Sequence, residues 1–240
     1  MLAVINYEVS NLHSLVKALH ALGAQPVVTA DPEHIAAADA VILPGVGSAV
    51  AAMRELRTRG LVEPLRAAAR SGRPFLGICL GMQVLLESSE EGDEGHEPCL
   101  GILPGTVRRL PPGLKVPHMG WNSVEADSHC PLFAGFPPER HFYFVHSYYT
   151  DVRDASAVAG WTDYGLRFPV AVWQGALMAT QFHPEKSGRW GLQLLRNFLE
   201  FAGTPLSPPA PVEPVELPHS LAVAGALPLT LSSSQRAGGV

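Results

Sequence analysis

The chain has 240 residues, 47% of them hydrophobic, and a formal net charge of −5. That is enough apolar material for one sizeable core, and the mild acidity, with no basic run, excludes the footprint of a nucleic-acid binder. No apolar stretch is long enough to span a bilayer, and the segment from Met1 to Glu8 lacks the charged start and apolar run of a signal peptide, so a cytoplasmic protein with no membrane partner is expected.

The first half alternates between short apolar runs and helical periods. Leu2-Ala3-Val4-Ile5 predicts a buried strand. From Asn11 to Leu22, apolar residues at Leu12, Leu15, Val16, Leu19 and Leu22 have helical spacing, and Gly23 stops the helix. Pro26-Val27-Val28 predicts a second strand, and Asp31-Pro32 a helix start with Asp31 as N-cap and Pro32 at the first helical position. Ala40 to Leu43 predicts a third strand, ended by Pro44-Gly45. An Ala/Arg/Leu-rich helical region follows from about Ser48 to Ala69, broken near Gly60, and then a fourth strand from Phe75 to Ile78. Continuous apolar strands alternating with helices predict an α/β fold: a mostly parallel central sheet covered by helices on both faces.

The second half predicts short antiparallel or mixed strands added to that sheet: Thr106 to Leu110, His141 to Tyr149, Ala157 to Gly160, Val170 to Trp173, and Ala176 to Phe182. Trp190 to Phe201 predicts a last helix, with Leu192, Leu195, Phe198 and Leu199 at helical spacing. After Gly203 the composition becomes proline-rich, and residues 203–240 are expected to be a disordered tail outside the folded domain 1–202.

The three cysteines, Cys79, Cys99 and Cys130, are odd in number and far apart, which argues against a disulfide framework or a Cys-x-x-Cys site. The ten histidines form no HExxH pattern and no paired His/Cys cluster, so neither a metal nor a cofactor is expected.

Chemistry concentrates in three segments. Gly77-Ile78-Cys79-Leu80-Gly81 follows a predicted strand and precedes a helical run from Met82 to Glu87. This is the strand–turn–helix setting of a nucleophile elbow with cysteine as nucleophile. Read without that setting, the pattern fits a buried apolar cysteine equally well. A nearby helix N-terminus would favour the thiolate. In Gln181-Phe182-His183-Pro184-Glu185, extended geometry would point His183 and Glu185 to the same side, giving a base and its orienting carboxylate. Leu43-Pro44-Gly45-Val46-Gly47 is a glycine-rich turn at the end of another strand. Its amides could provide one oxyanion donor, with the N–H of Leu80 as the other. The phosphate-loop spacings are missing from it.

Together, Pro44-Gly45-Val46-Gly47, Gly77 to Gln83 and His183-Pro184-Glu185 resemble the triad-type (class I) glutamine amidotransferases. Pro117 to Asn122, Tyr143 to Tyr148 and Phe182 to Ser187 narrow the similarity to the glutaminase subunits of imidazole glycerol phosphate synthase, over about residues 1–202. Two segments depart from that pattern: Glu8-Val9-Ser10 stands where a glycine-containing turn is usual, and Ser48-Ala49-Val50 where an aromatic follows the Gly loop. The resemblance implies Cys79 as nucleophile, His183 as proton carrier and Glu185 as its orienter. It further implies an oxyanion site at Gly45, Val46, Gly47 and Leu80, and glutamine binding by Gln83, Ser147 and Tyr148. The implied partner is a (β/α)8-barrel cyclase subunit, met through Asn11, Trp121, Asn122, Tyr143 and Lys186, that activates the glutaminase and consumes its ammonia. From the residues alone, Trp121 and Tyr143 read more readily as core aromatics, the commoner fate of such residues. A stand-alone cysteine hydrolase of the same fold, the glutaminase of another pathway, and a silent binding module are the alternatives.

Overall fold

The computed structural model describes residues 1–8, 12–92 and 95–206. Its first half winds as expected: β1 (Leu2–Ile5), α1 (Leu12–Ala21), β2 (Val27–Thr29), α2 (Pro32–Ala37), β3 (Ala40–Gly45), α3 (Ala49–Thr58), α4 (Val62–Arg70) and β4 (Phe75–Cys79). Local chemistry sets the boundaries. The Asp31 carboxylate accepts from the Glu33 N–H at 2.9 Å and Pro32 opens α2. The Ser48 hydroxyl accepts from the Ala51 N–H at 3.1 Å at the start of α3. Gly60, at φ +68°, makes the break between α3 and α4 that a side chain would strain.

The second half adds α5 (Leu80–Gln83), β5 (Ser88–Ser89), β6 (Glu97–Pro98), β7 (Gly105–Arg109), β8 (His118–Ser123), β9 (Glu125–Ala126), β10 (His141–His146), β11 (Tyr148–Val152), β12 (Val158–Asp163), β13 (Arg167–Gln174), β14 (Leu177–Thr180) and α6 (Gly188–Phe201). The main sheet has the order β2-β1-β3-β4-β14-β13-β12-β9. Pairing is parallel from β2 through β14 and antiparallel from β14 to β9. A ribbon of β8 and β10 and a four-stranded sheet, β11-β7-β5-β6, stand apart from it.

Three expectations change. The helical run expected over Met82 to Glu87 is the single turn α5. Beyond it the backbone pairs sideways, the Leu100 N–H donating to the Val84 carbonyl at 2.8 Å and the Gly101 N–H to the Leu86 carbonyl at 2.8 Å. The strand expected over His141 to Tyr149 divides at Ser147, whose carbonyl accepts from the Leu110 N–H at 3.0 Å; its halves join different sheets, β10 with β8 and β11 with β7. β8 was not expected as a strand at all, because Gly120 and the mixed polarity of His118 to Ser123 hide its alternation. Asn11, Val9, Ser10 and residues 207–240 of the expected tail lie outside the described residues.

Side chains of each parallel strand alternate between two apolar layers. Leu2, Val4 and Ile42 pack with Leu15 and Leu19 of α1 and with Leu195, Phe198 and Leu199 of α6. Ala3, Ile5 and Val41 pack with Ile35 of α2, Met53 and Leu56 of α3 and Leu65 of α4. This double covering leaves only the strand ends free for chemistry. Phe198 is wholly buried while Phe201, on the same helix, is 40% exposed. Phe198→Ala is expected to cost about 3–5 kcal/mol in urea unfolding, and Phe201→Ala less than about 1 kcal/mol.

Candidate active site

Residues at the C-terminal ends of β3 and β4 stand side by side, Gly45 pairing in register with Cys79, and β14 flanks β4 on the other side. Cys79 ends β4 at φ +55° and ψ −109°, a conformation that non-glycine residues rarely adopt and that costs of order 1–3 kcal/mol. Glycines around it make the turn feasible. A Cβ on Gly81 would lie 1.8 Å from the Leu43 carbonyl oxygen, and one on Gly77 would lie 3.0 Å from the Gly81 carbonyl. A Cβ on Gly45 would lie 2.2 Å from the Tyr7 hydroxyl and 2.9 Å from Leu80. The glycine-rich loop after β3 and the elbow after β4 are thus pressed together, with Leu80 at the contact. Because α5 is one turn long, its dipole contributes little at the sulfur.

β14 ends at Thr180, and the chain then passes Cys79. The His183 Nδ1–H donates to Glu185 Oε1 at 2.7 Å, both side chains being buried. His183 is extended, as a residue before proline tends to be, but Pro184 to Lys186 forms a 3-10 turn. The turn, rather than the extended run expected for this segment, brings the carboxylate back to the ring. Burial by itself would lower the His183 pKa. Interaction with Cys79, through a hydrogen bond and through charge, and then with Glu185 outweighs burial and pushes the pKa up to about 10. Nε2 makes no hydrogen bond of standard geometry among the described residues, so the Cys79 contact is a loose one. Such contacts tighten when substrate is bound.

The backbone of His183 is clamped from outside. Its N–H donates to the Tyr143 carbonyl at 3.0 Å, while the Ser187 hydroxyl donates to the His183 carbonyl at 2.6 Å and accepts from the Tyr143 N–H at 2.9 Å.

A cavity of about 550 Å³ opens over the sulfur, well within the range of small-molecule sites. Its walls include Val46, Gly47, Cys79, Leu80, Gln83, Ser147, Tyr148 and His183, all named from the sequence, together with Lys186 at the rim. Gly45 lies just behind, in contact with Leu80. A cleft of comparable size at the opposite ends of the strands, lined by Met1, Gln25, Asp39 and Thr204, holds no cysteine, serine or histidine. Among the described residues no group of three or more His, Cys, Asp or Glu is placed to hold a metal ion. Nor is any helix among them long and apolar enough to cross a membrane.

Comparison with known proteins shows the family. The family model described as "Glutamine amidotransferase class-I" matches residues 3–201. The chain belongs to the class I glutamine amidotransferases. Within that family it is 51% identical to the imidazole glycerol phosphate synthase subunit HisH of Herpetosiphon aurantiacus, over 84% of this chain and 95% of the relative. It is 52% identical to the same subunit from Moorella thermoacetica, over 83% of this chain and 94% of the relative. In fold it resembles PurLQS from Thermotoga maritima, with a TM-score of 0.66 and 19% identity over 83% of this chain and 97% of that one.

On this amidotransferase the residues named for a partner surface separate. Along β8 and β10, Met119, Trp121, Tyr143 and Val145 share one face, since Trp121 pairs with Tyr143 and Met119 with Val145. Met119 and Trp121 are 60% and 57% exposed, so Trp121 is not a core aromatic. The Trp121 ring meets Tyr143 edge-on at 6.1 Å, and the Lys186 ammonium lies 5.9 Å from the Tyr143 ring centre. Asn122 lies on the other face of β8. Its amide donates to the Asp163 carbonyl at 2.8 Å and reaches His118 Nε2 at 3.3 Å.

Sequence reasoning passed over Glu91 and Gln181, and allowed His146, in a strand near the site, a supporting role. Glu91 and His146 line the cavity. Glu91 accepts from the Ala49 N–H at 2.5 Å, and burial raises its pKa; in sequence it is one of a run of acidic residues that reads as solvated surface. Gln181 Nε2 lies 3.7 Å from Cys79 Sγ. The two-residue spacing used for His183 and Glu185 also relates Gln181 to His183 and could have found it.

The raised His183 pKa has a pH signature. A raised folded-state pKa stabilises the fold fully below the unfolded value of about 6.5, and that contribution is lost as pH rises towards about 10. Glu185→Gln keeps an acceptor but removes the charge, lowering the His183 pKa. The stability gap between wild type and variant, from urea unfolding, should be widest below about pH 6.5 and narrow towards pH 10; a gap independent of pH would contradict the assignment.

Proposed function

We propose that the chain hydrolyses glutamine through a thioester on Cys79 and passes the ammonia to a (β/α)8-barrel cyclase subunit in the cytoplasm, as the glutaminase subunit of imidazole glycerol phosphate synthase. The observation that carries this reading is that Cys79 and His183 line one cavity, with Glu185 bonded to His183. Residues 1–202 act as the amidotransferase domain, and residues 203–240 are proline-rich.

The Cys79 thiolate attacks the side-chain carboxamide carbon of glutamine. The oxyanion is held by the N–H of Leu80 and an N–H of the Gly45-Val46-Gly47 loop, donors worth about 3–4 kcal/mol each in comparable sites. The His183 imidazolium gives its proton to the departing nitrogen, releasing ammonia and leaving the thioester. Neutral His183 then takes a proton from water as the water attacks, and glutamate leaves as the thiolate re-forms. Glu185 keeps Nδ1 protonated and Nε2 facing the sulfur. Gln83, Ser147 and Tyr148 bind the glutamine backbone, with the Glu91 carboxylate suited to its ammonium. No step calls for a metal or cofactor.

Met119, Trp121, Tyr143 and Lys186 make up the face offered to the cyclase, while Asn122 lies on the other face of β8. An exposed aromatic next to a cation is the composition of an interface anchor. The clamp from Tyr143 through Ser187 to His183 supplies a short mechanical route by which docking adjusts the base.

Glutamine hydrolysis, measured with the chain alone and with a cyclase subunit and its nucleotide ligand, should rise sharply with both present. Cys79→Ala should lower it by a factor on the order of 10⁴ or more. No hydrolysis under any condition would remove this reading. Trp121→Ala should weaken cyclase binding by about 2 kcal/mol or more, roughly 30-fold in Kd, in titration calorimetry; unchanged affinity would place the interface elsewhere.

A further inference from the structure

Gln181 is fully buried at the end of β14. Its Nε2 lies 3.7 Å from Cys79 Sγ, and its Oε1 accepts from Gln83 Nε2 at 2.9 Å. The same Gln83 nitrogen donates to the Tyr148 carbonyl at 2.9 Å. Side-chain amides can be turned either way round, and here the Tyr148 carbonyl decides. A carbonyl only accepts, so Gln83 must present its NH₂ to it. The second hydrogen of that NH₂ goes to Gln181 Oε1, and Gln181 has only an N–H left for the sulfur.

The Tyr148 carbonyl is held in turn. His146 Nδ1 lies 2.9 Å from it and must be the donor, which makes His146 Nε2 an acceptor. His118 Nδ1 donates to that nitrogen at 2.9 Å, and His118 Nε2 faces the Asn122 amide nitrogen at 3.3 Å. His118 is further locked between the Phe144 and Tyr164 rings, at 4.8 Å and 4.0 Å between centres. The pattern requires both imidazoles to be neutral. Burial lowers the His118 pKa to about 4, and burial followed by the neighbouring His118 lowers that of His146 to about 3. Each group then has one available role, and the chain of bonds from Asn122 on β8 to the sulfur carries no donor–donor or acceptor–acceptor clash.

We propose that Gln181 is a further catalytic residue whose Nε2–H donates to the Cys79 thiolate, and that His118 and His146 are positioning residues that fix the direction of that amide through Tyr148 and Gln83. The inference rests on Cys79 being the nucleophile. A neutral donor at the sulfur favours the anion in the resting enzyme and again when sulfur leaves the thioester. It complements His183, which must give up its proton during the reaction while the amide keeps its own.

The test is the rate of Cys79 alkylation by iodoacetamide across pH, read by peptide mass spectrometry on the full chain. Cys99 and Cys130 do not compete, because burial pushes their thiols up to about 12 and about 11. The other titratable groups around the sulfur, His183, Tyr7, His146, Glu91 and Lys186, are the same in every variant. Gln181→Leu should slow alkylation roughly tenfold on the acid side of its pH profile, as expected for losing a hydrogen bond to a charged group, and the deficit should shrink as pH rises through the midpoint of that profile. Gln181→Glu, which keeps the acceptor for Gln83 but turns an oxygen to the sulfur, should slow it further. A merely structural role would change the rate equally at all pH values, and that result, or no change, overturns the proposal. Should both variants fail to fold by circular dichroism, the Gln181 side-chain N–H resonances of the wild type decide. A shift that tracks Cys79 ionisation and is missing in Cys79→Ala supports the donor role, and no such shift refutes it. Glutaminase activity that survives alkylation of Cys79 would refute the nucleophile itself, a failure distinct from either result for Gln181.

Discussion

One strained residue organises the site. Cys79 holds a positive φ at the end of β4 because the backbone must reverse within a single residue to leave the sheet and enter α5. That reversal works only where the chain can touch itself: Gly81 against the Leu43 carbonyl, Gly77 against Gly81, Gly45 against Tyr7 and Leu80. The strain is stabilised by the core on both faces of the sheet rather than by any contact of the sulfur. In return the sulfur stands at the mouth of a cavity, with the glycine-rich loop of β3 on one side and the segment after β14 on the other.

The buried polar groups around the elbow would be costly if left unpaired, and most are paired in only one way. His183 gives its proton to Glu185, and its main chain is held by Tyr143 and Ser187. Gln83 and Gln181 share hydrogens that the Tyr148 carbonyl directs. The Tyr7 hydroxyl, His183 Nε2 and Glu185 Oε2 are exceptions, and Tyr7 is the one outside the Cys79–His183–Glu185 group. Its buried hydroxyl finds no partner among the described residues, and burial, followed by the nearby Cys79, raises its pKa far above the usual phenol value. It serves as a wedge that fixes the position of Gly45.

The β8–β10 ribbon links this site to the exposed face. Alternation along the two strands sends Met119, Trp121, Tyr143 and Val145 outward and His118, Phe144 and His146 inward. Residues that face solvent and residues that hold the reactive groups are therefore neighbours on the same strands. A shift of the ribbon would reach His183 through Ser187 and Gln181 through Tyr148 by two separate sets of bonds.

The sequence by itself determined the parallel half of the fold and picked out Cys79, His183 and Glu185, which the fold brings together. Apolar runs such as Leu2 to Ile5 are strong short-range signals, as are the Asp31-Pro32 cap and the glycines flanking Cys79, because the steric demands they answer are local. Tertiary structure decided what depends on distant partners. Val84 to Leu86 left the helix because Leu100 and Gly101 offered hydrogen bonds, and Ser147 broke a strand because β7 and β8 compete for its two halves. Asn122 turned inward, and Glu91 and Gln181 entered the site, because strands and loops far apart in sequence close around one cavity. A local pattern can state which residues are able to do chemistry; only the packed sheet states which of them meet.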